Sequence, residues 1–272
     1  MSTTRSAVLA AVERSPAAAA AHDRSGWVGL FTPDGRIEDP VGSRPHSGRA
    51  EIEQFYDTFI GPRTITFHRD IDIVRGHTVL RDLVLEVGMG SPTGFGMVTM
   101  RIPAVLRYDV TDVGDGLAID RLQAFWELPA MAWQFTRNGP AAVPAAVQLT
   151  RALLVNQGPA GVFGFASGLG GVGGRGKRLI GQLIDDATAG DEMTVKRRLG
   201  PDVEITAGDA ERLRPSELVA ALAGMHRQTL LTAGRHVAVS LTGAPGPAVL
   251  IADVGVRPTR IRRVRLFADE AG

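Results

Sequence analysis

Asp39 is the residue in this chain with the best-defined chemical setting. It follows Ile37 and Glu38 and precedes Pro40, and a residue before proline is driven away from helical geometry, so its carboxylate ends an extended segment. A bend through Gly42, Ser43, Pro45 and Gly48 comes next. From Arg49 onward, Ile52, Phe55, Tyr56, Phe59 and Ile60 recur at the spacing of one buried helical face. A carboxylate facing such an apolar surface is a proton acceptor matched to neutral pH, because desolvation raises its pKa. Tyr56, beside Phe55, offers a hydroxyl that would orient the carboxylate or a ligand. An aspartate before proline also caps N–H groups in turns, and Tyr56 also fits a plain core position, so residue type alone leaves both roles open.

The elements around Asp39 follow from pattern. Thr3 or Thr4 caps a first helix with Val8, Leu9 and Val12 inward, and an alanine-rich second helix is expected from about Pro16 to Phe31. Thr32-Pro33-Asp34-Gly35 has the chemistry of a turn. Strands are expected at 64–68, 71–74, 77–89, 97–110 and 117–128, with Gly114-Asp115-Gly116 as a hairpin turn and 88–96 as a loop. Leu122, Ala124 and Trp126 alternate and so share a face. Helices before a meander of strands give an α+β domain, its helices on one side of a curved antiparallel sheet.

Composition narrows the function class. The chain has 272 residues, a net charge of +1 and no cysteine. Such a balance gives no basic surface for nucleic acid, and the lack of thiols removes disulfide and cysteine-zinc chemistry and fits a cytoplasmic setting. No apolar run of about 18 residues suggests a membrane span, and Ala7 to Val12 is too short and interrupted for a signal peptide. His226 and His236 lack carboxylates at ligand spacing, so no metal site is expected. Gly171 to Arg178 approaches the phosphate-loop pattern, but Arg178 stands where a magnesium-binding hydroxyl belongs.

The run Ile37-Glu38-Asp39-Pro40-Val41-Gly42-Ser43, with Pro45, Ser47-Gly48, Ile52, Phe55-Tyr56 and the later Leu122-Gln123-Ala124-Phe125-Trp126, resembles the Δ5-3-ketosteroid isomerases of the SnoaL-like, nuclear transport factor 2-like superfamily. The resemblance spans about Arg5 to Leu128. It implies a cone-shaped barrel whose helices and sheet enclose an apolar pocket, with Asp39 as the proton-moving base and Tyr56 as its supporting tyrosine. It also implies a pocket wall built from Trp27, Phe31, Phe55, Met100, Ala104, Leu106, Ala124 and Trp126. The family's two oxyanion donors do not carry over, since Ser15 and Ala104 occupy those positions. Isomerisation, cyclisation, epoxide opening and binding alone therefore stay open, none of them needing a cofactor, with a hydrophobic, polycyclic or polyketide-like molecule as the expected partner.

The remainder of the chain repeats the order of elements in shorter form. Leu199-Gly200-Pro201-Asp202-Val203-Glu204-Ile205-Thr206 echoes the pattern of Phe31 to Glu38, and Ala207 then falls where Asp39 would. We therefore expect a pocket-bearing domain at 1–135, a helical and glycine-rich connector at 136–178, and a degenerate, catalytically silent copy at 179–272. Val162, Phe163, Phe165 and Leu169 among the glycines of 158–176 suggest that this stretch lies against protein rather than forming a free linker. Pairing of the two copies within the chain, or a homodimer, is the expected assembly.

Overall fold

The computed structural model describes residues 4–89, 98–139, 142–244 and 246–269. The first helix, α1 (Arg5–Ala20), begins where the Thr4 hydroxyl accepts from the Ala7 amide, and it buries Val8, Val12, Ser15 and Ala19. It continues through Pro16, which had been expected to open a second helix. The alanine-rich flanks and the packing of Val8, Val12 and Ala19 outweigh the missing hydrogen bond. Asp23 caps the short α2 (Arg24–Val28). The strand β1 (Phe31–Glu38) then takes in the four residues with turn chemistry, at the cost of a bulge. Phe31 pairs with Ile119 and Arg36 with Arg121, so five steps of one strand match two of the other.

The short β2 (His46–Ser47) leads into α3 (Gly48–Phe55), which ends in a π-helical turn over Tyr56–Ile60. Four long strands follow, β3 (Thr64–Arg75), β4 (Thr78–Met89), β5 (Val98–Asp112) and β6 (Leu117–Phe125). The sheet order is β2-β1-β6-β5-β4-β3, and β1 runs parallel to β6. The sheet is thus mixed, not wholly antiparallel, because two segments from opposite ends of the domain meet side by side. The expected loop at 88–96 falls largely outside the described residues.

Helices α4 (Leu128–Thr136), α5 (Ala142–Ala166) and α6 (Gly173–Thr188) come next. Gly158, with a non-helical φ of 66°, kinks α5 ahead of Pro159. The chain then continues through α7 (Glu192–Leu199), β7 (Glu204–Ala207), β8 (Glu211–Arg212) and α8 (Pro215–Leu222). It closes with β9 (His226–Ala233), β10 (His236–Thr242), β11 (Ala248–Val256) and β12 (Thr259–Ala268). The second sheet has the order β8-β7-β12-β11-β10-β9, with β7 parallel to β12, and so reproduces the first strand for strand. The chain is an α+β protein with two copies of one fold in tandem.

The copies pack sheet against sheet. Val41, Ile73, Leu80, Val105 and Phe125 of the first meet Leu231, Ala238, Val249, Ile251 and Phe267 of the second in one apolar cluster. Buried Asp82 accepts a hydrogen bond from the Ser240 hydroxyl across this layer. Arg107 lies over the Phe267 ring, 5.4 Å from its centre, and grips Asp209 through both terminal nitrogens at 3.1 and 2.6 Å. Gly42 (φ 96°) and Gly234 (φ 54°) touch backbone to backbone, and a Cβ on Gly42 would lie 2.5 Å from the Gly234 Cα. Both positions therefore need glycine twice over, for the dihedral and for the space.

Phe267 is fully buried in the centre of this layer. Phe267→Ala should lower the unfolding free energy by about 3–5 kcal/mol, the usual result of emptying a phenylalanine site in a core, as read from urea denaturation.

Candidate functional site

Between the first sheet and the helices that cover it lies a cavity of about 470 Å³. That is ample for a drug-sized apolar molecule. Its floor comes from alternate residues of β5, namely Met100, Ile102, Leu106 and Tyr108, which face inward by the two-residue period of a strand. Trp27, Phe55 and Phe59 form one wall. A second wall comes from Met131 and Phe135 of α4 with Leu149, Leu153 and Phe165 of α5. Phe165 stacks on Phe59 at 5.5 Å between ring centres. The stretch read from sequence as connector thus roofs the cavity, and the expectation that its phenylalanines lie against protein holds for Phe165. Phe163 is instead exposed.

Asp39 enters this cavity from the end of β1. The β1–β6 pairing places Glu38 beside Gln123, and the amide of Val41 donates to the carbonyl of Ala124, so Asp39 is held level with the end of β6. There the Trp126 indole Nε1 donates to Asp39 Oδ1 at 2.5 Å. Asp39 is mostly buried, and what surface it keeps opens on the cavity and an adjoining pocket. Burial pushes its carboxyl up to about 6, while the Trp126 hydrogen bond and the positive charge of Arg63 oppose the rise. An ordinary aspartate is ionised at neutral pH but a weak base; this one is still largely ionised at pH 7 and a stronger base.

Two further titratable groups line the cavity. Arg63, in the link between the π-turn and β3, is 9 % exposed and donates through Nη1 to the Thr58 carbonyl at 2.5 Å. Its guanidinium lies 5.6 Å above the Phe59 ring, and burial lowers its pKa to about 10 against the opposing pull of Asp39. Tyr108 is fully enclosed beside Ser15, and burial raises its hydroxyl pKa. Sequence reasoning missed both. The alternation that marked Met100, Ala104 and Leu106 extends by one step to Tyr108 and could have found it. Arg63 carries no such signal, since Gly61-Pro62-Arg63 reads as an ordinary connection.

Of the residues expected in the site, Asp39, Trp27, Phe55, Met100, Leu106 and Trp126 line the cavity together. Tyr56 does not join them. Its ring packs on Trp27 at 5.5 Å, and its hydroxyl is buried without a partner and under the influence of Asp23, Asp57 and Arg24, away from Asp39. Phe31 lies behind Trp27 in the same way, at 4.9 Å. Ala104 and Ala124 belong to the buried core under the sheet, but they do not line the cavity as their neighbours Ile102 and Leu106 do. Ala207 of the second copy, the counterpart of Asp39, borders only a shallow cleft with Arg75, Asp209 and Phe267. The second core is filled by Ile180, Leu183, Leu218, Val239 and Leu250.

A comparison of the sequence with known families matches residues 12–117 to the SnoaL-like domain. A steroid Δ-isomerase from Nocardioides simplex is 39% identical over 70 residues, which make up 26% of this chain and 57% of the relative's length. Among solved structures, a Δ5-3-ketosteroid isomerase from Mycobacterium sp. is similar at 32% identity, covering 46% of this chain and 95% of its own, with a TM-score of 0.39. The Mycobacterium tuberculosis protein RV0760c, solved in complex with estradiol-17β-hemisuccinate, is 26% identical over 45% of this chain and 95% of its own, with a TM-score of 0.40. Among the described residues no helix is long and apolar enough to cross a membrane.

The raised pKa of Asp39 has a consequence for stability. Its protonated form is favoured by folding, so the contribution is complete below the unfolded value of about 3.8 and is lost as pH rises through about 6. Asp39→Asn, which mimics the protonated acid, should therefore melt higher than the wild type at pH 8 by an amount equivalent to at most about 3 kcal/mol. The two should converge below pH 4, as measured by thermal denaturation across pH.

Proposed function

We propose that the SnoaL-like domain at the N-terminal end of this chain is an isomerase or cyclase that needs no cofactor and acts on a hydrophobic, polycyclic or polyketide-like molecule. Asp39 is its general base. The observation that carries this reading is a single carboxylate, desolvated and oriented by one indole N–H, opening on an apolar cavity of about 470 Å³. The family match over residues 12–117 and the partial identity to a steroid isomerase support the same chemistry.

The residues divide the work simply. Trp27, Phe55, Phe59, Leu106 and Leu153 exclude water and hold an apolar ring system by contact area. Trp126 fixes the position of Asp39 Oδ1, leaving the other oxygen to accept a proton from a substrate carbon. A carboxyl raised to about 6 is a stronger base than an ordinary aspartate and still acid enough to return the proton to a different carbon, or to keep it while the new carbanion attacks within the molecule. The oxygen bearing the resulting charge needs a donor, and Tyr108 and Arg63 both line the cavity that holds it.

Incubation with steroid-sized enones and polyketide-like diketones in deuterated water, followed by mass spectrometry, tests the base directly. Exchange at the acidic carbon should occur with the wild type and fall by about 10²–10⁴-fold in Asp39→Asn, with ligand affinity within a few-fold. Its second-order rate constant should rise with pH through about 6 and level off above, because the ionised carboxylate is the active form. Equal exchange by Asp39→Asn would remove Asp39 as the base, and ligand binding without exchange in the wild type would reduce the site to a binding pocket.

A further inference from the structure

Arg63 is an unusual group to find in the wall of an apolar cavity. A guanidinium carries five N–H donors and a permanent charge, and burying one without a partner is strongly unfavourable. Thr58 O is the acceptor it meets among the described residues, and no described carboxylate lies within ion-pair distance. The ring of Phe59 holds the plane of the guanidinium from one side. Arg63 lines the main cavity together with Asp39, and it also borders a small side pocket with Thr58, Met89 and Leu149.

Asp39 and Arg63 are the two side chains among the cavity-lining residues that carry charge at neutral pH. Each feels the other, since the Arg63 charge works against protonation of Asp39, and Asp39 works against loss of charge from Arg63. In the resting site the pair is neutral overall. If Asp39 takes a proton, its charge disappears and Arg63 is left uncompensated in a poorly solvated space. The same step places a negative charge on the substrate. Arg63 is thus positioned to exchange one anionic partner for another, with no change in the total charge of the cavity.

We infer that Arg63 receives the negative charge that leaves Asp39, and that the substrates are hydrophobic ketones or enones whose acidic C–H lies next to the carbonyl. The inference rests on Asp39 acting as the base. The C–H bond breaks, its proton bonds to Asp39, its electron pair forms a carbon–carbon double bond, and the carbonyl π pair moves onto oxygen. That enolate oxygen then faces Arg63. Return of the proton to another carbon restores the Asp39 anion and the carbonyl, so no oxidant, reductant or co-reactant is required. A pure hydrocarbon or a simple ether of the same shape would leave Arg63 without a new partner and would not turn over.

The other titratable or charged groups facing Asp39 are Tyr108 from β5 and, in the adjoining small pocket, Arg44 and His46 from the segment before α3. Arg44 and His46 do not line the main cavity, which leaves Tyr108 as the rival charge acceptor.

Binding of 2-naphthol separates these possibilities without any turnover, because its neutral and ionised forms differ in absorption and fluorescence. The protein carrying Asp39→Asn should bind the ionised form at least about 10-fold more tightly than the wild type, since the competing anion is gone. Adding Arg63→Met to that background should abolish the gain, and Arg63→Lys should keep part of it. Binding of 2-methoxynaphthalene, which cannot ionise, should stay within about 3-fold throughout and so report an intact pocket. Retention of the ionised naphthol by the Asp39→Asn, Arg63→Met protein would overturn the inference and assign the charge to Tyr108. An absence of any gain in Asp39→Asn would overturn it as well. Loss of deuterium exchange in Asp39→Asn stands or falls separately, so failure of the base and failure of Arg63 remain distinguishable.

Discussion

The site depends on a carboxylate kept out of water and held by one hydrogen bond. A charged group in such a position is unfavourable for the fold, and its persistence means that its surroundings fix it. Two strands from opposite ends of the domain lie parallel at that point, and Trp126, just past the end of β6, reaches Asp39 just past the end of β1. The bulge that absorbs Thr32 to Gly35 lets β1 keep its register with β6 from Arg36 onward. Backbone geometry some distance from the cavity thus determines the proton affinity of the group inside it.

The roof is built differently from the floor. Floor residues come from a sheet whose strands are tied by regular ladders, whereas the roof comes from α4 and the kinked α5, which follow the sheet in sequence and fold back over it. These helices put Met131, Phe135, Leu149 and Leu153 inward while Trp133, Val147 and Val155 remain exposed. They hold fewer polar contacts with the rest of the domain, among them the amide of Asn156 and that of Gln157 on the Thr58 hydroxyl. Thr58 also binds Arg63 through its carbonyl, so one residue of the π-turn links the roof to the charged wall.

Much of this was legible in the residues themselves. The Asp39-Pro40 step, the apolar spacing of α3 and the alternation of β5 and β6 placed the carboxylate, Phe55 and Trp126 on one cavity. Those signals are local, set by backbone preference and by which face is buried. What could not be read was distance across the fold. Tyr56 lies next to Phe55 in sequence, but the widened π-turn rotates it behind Trp27. Ala104 has the right parity and too short a side chain. Arg63 has no periodic pattern at all, and only the fold shows that a surface-type residue in a connection is enclosed. The repeat was visible as an echo of Phe31 to Glu38, while the sheet-to-sheet contact between the copies follows from outward residues that the strand pattern marks only as apolar.

The pairing of the two sheets has a further consequence for stoichiometry. Each copy covers the outer apolar face of the other, so that face is spent within a single chain, and the glycine contact between Gly42 and Gly234 ties the second copy to the loop that directly follows Asp39. One copy then serves as a permanent scaffold with a solid interior while the other keeps the hollow one. A chain arranged in this way keeps one hollow fold for every two folds that it builds, among the described residues.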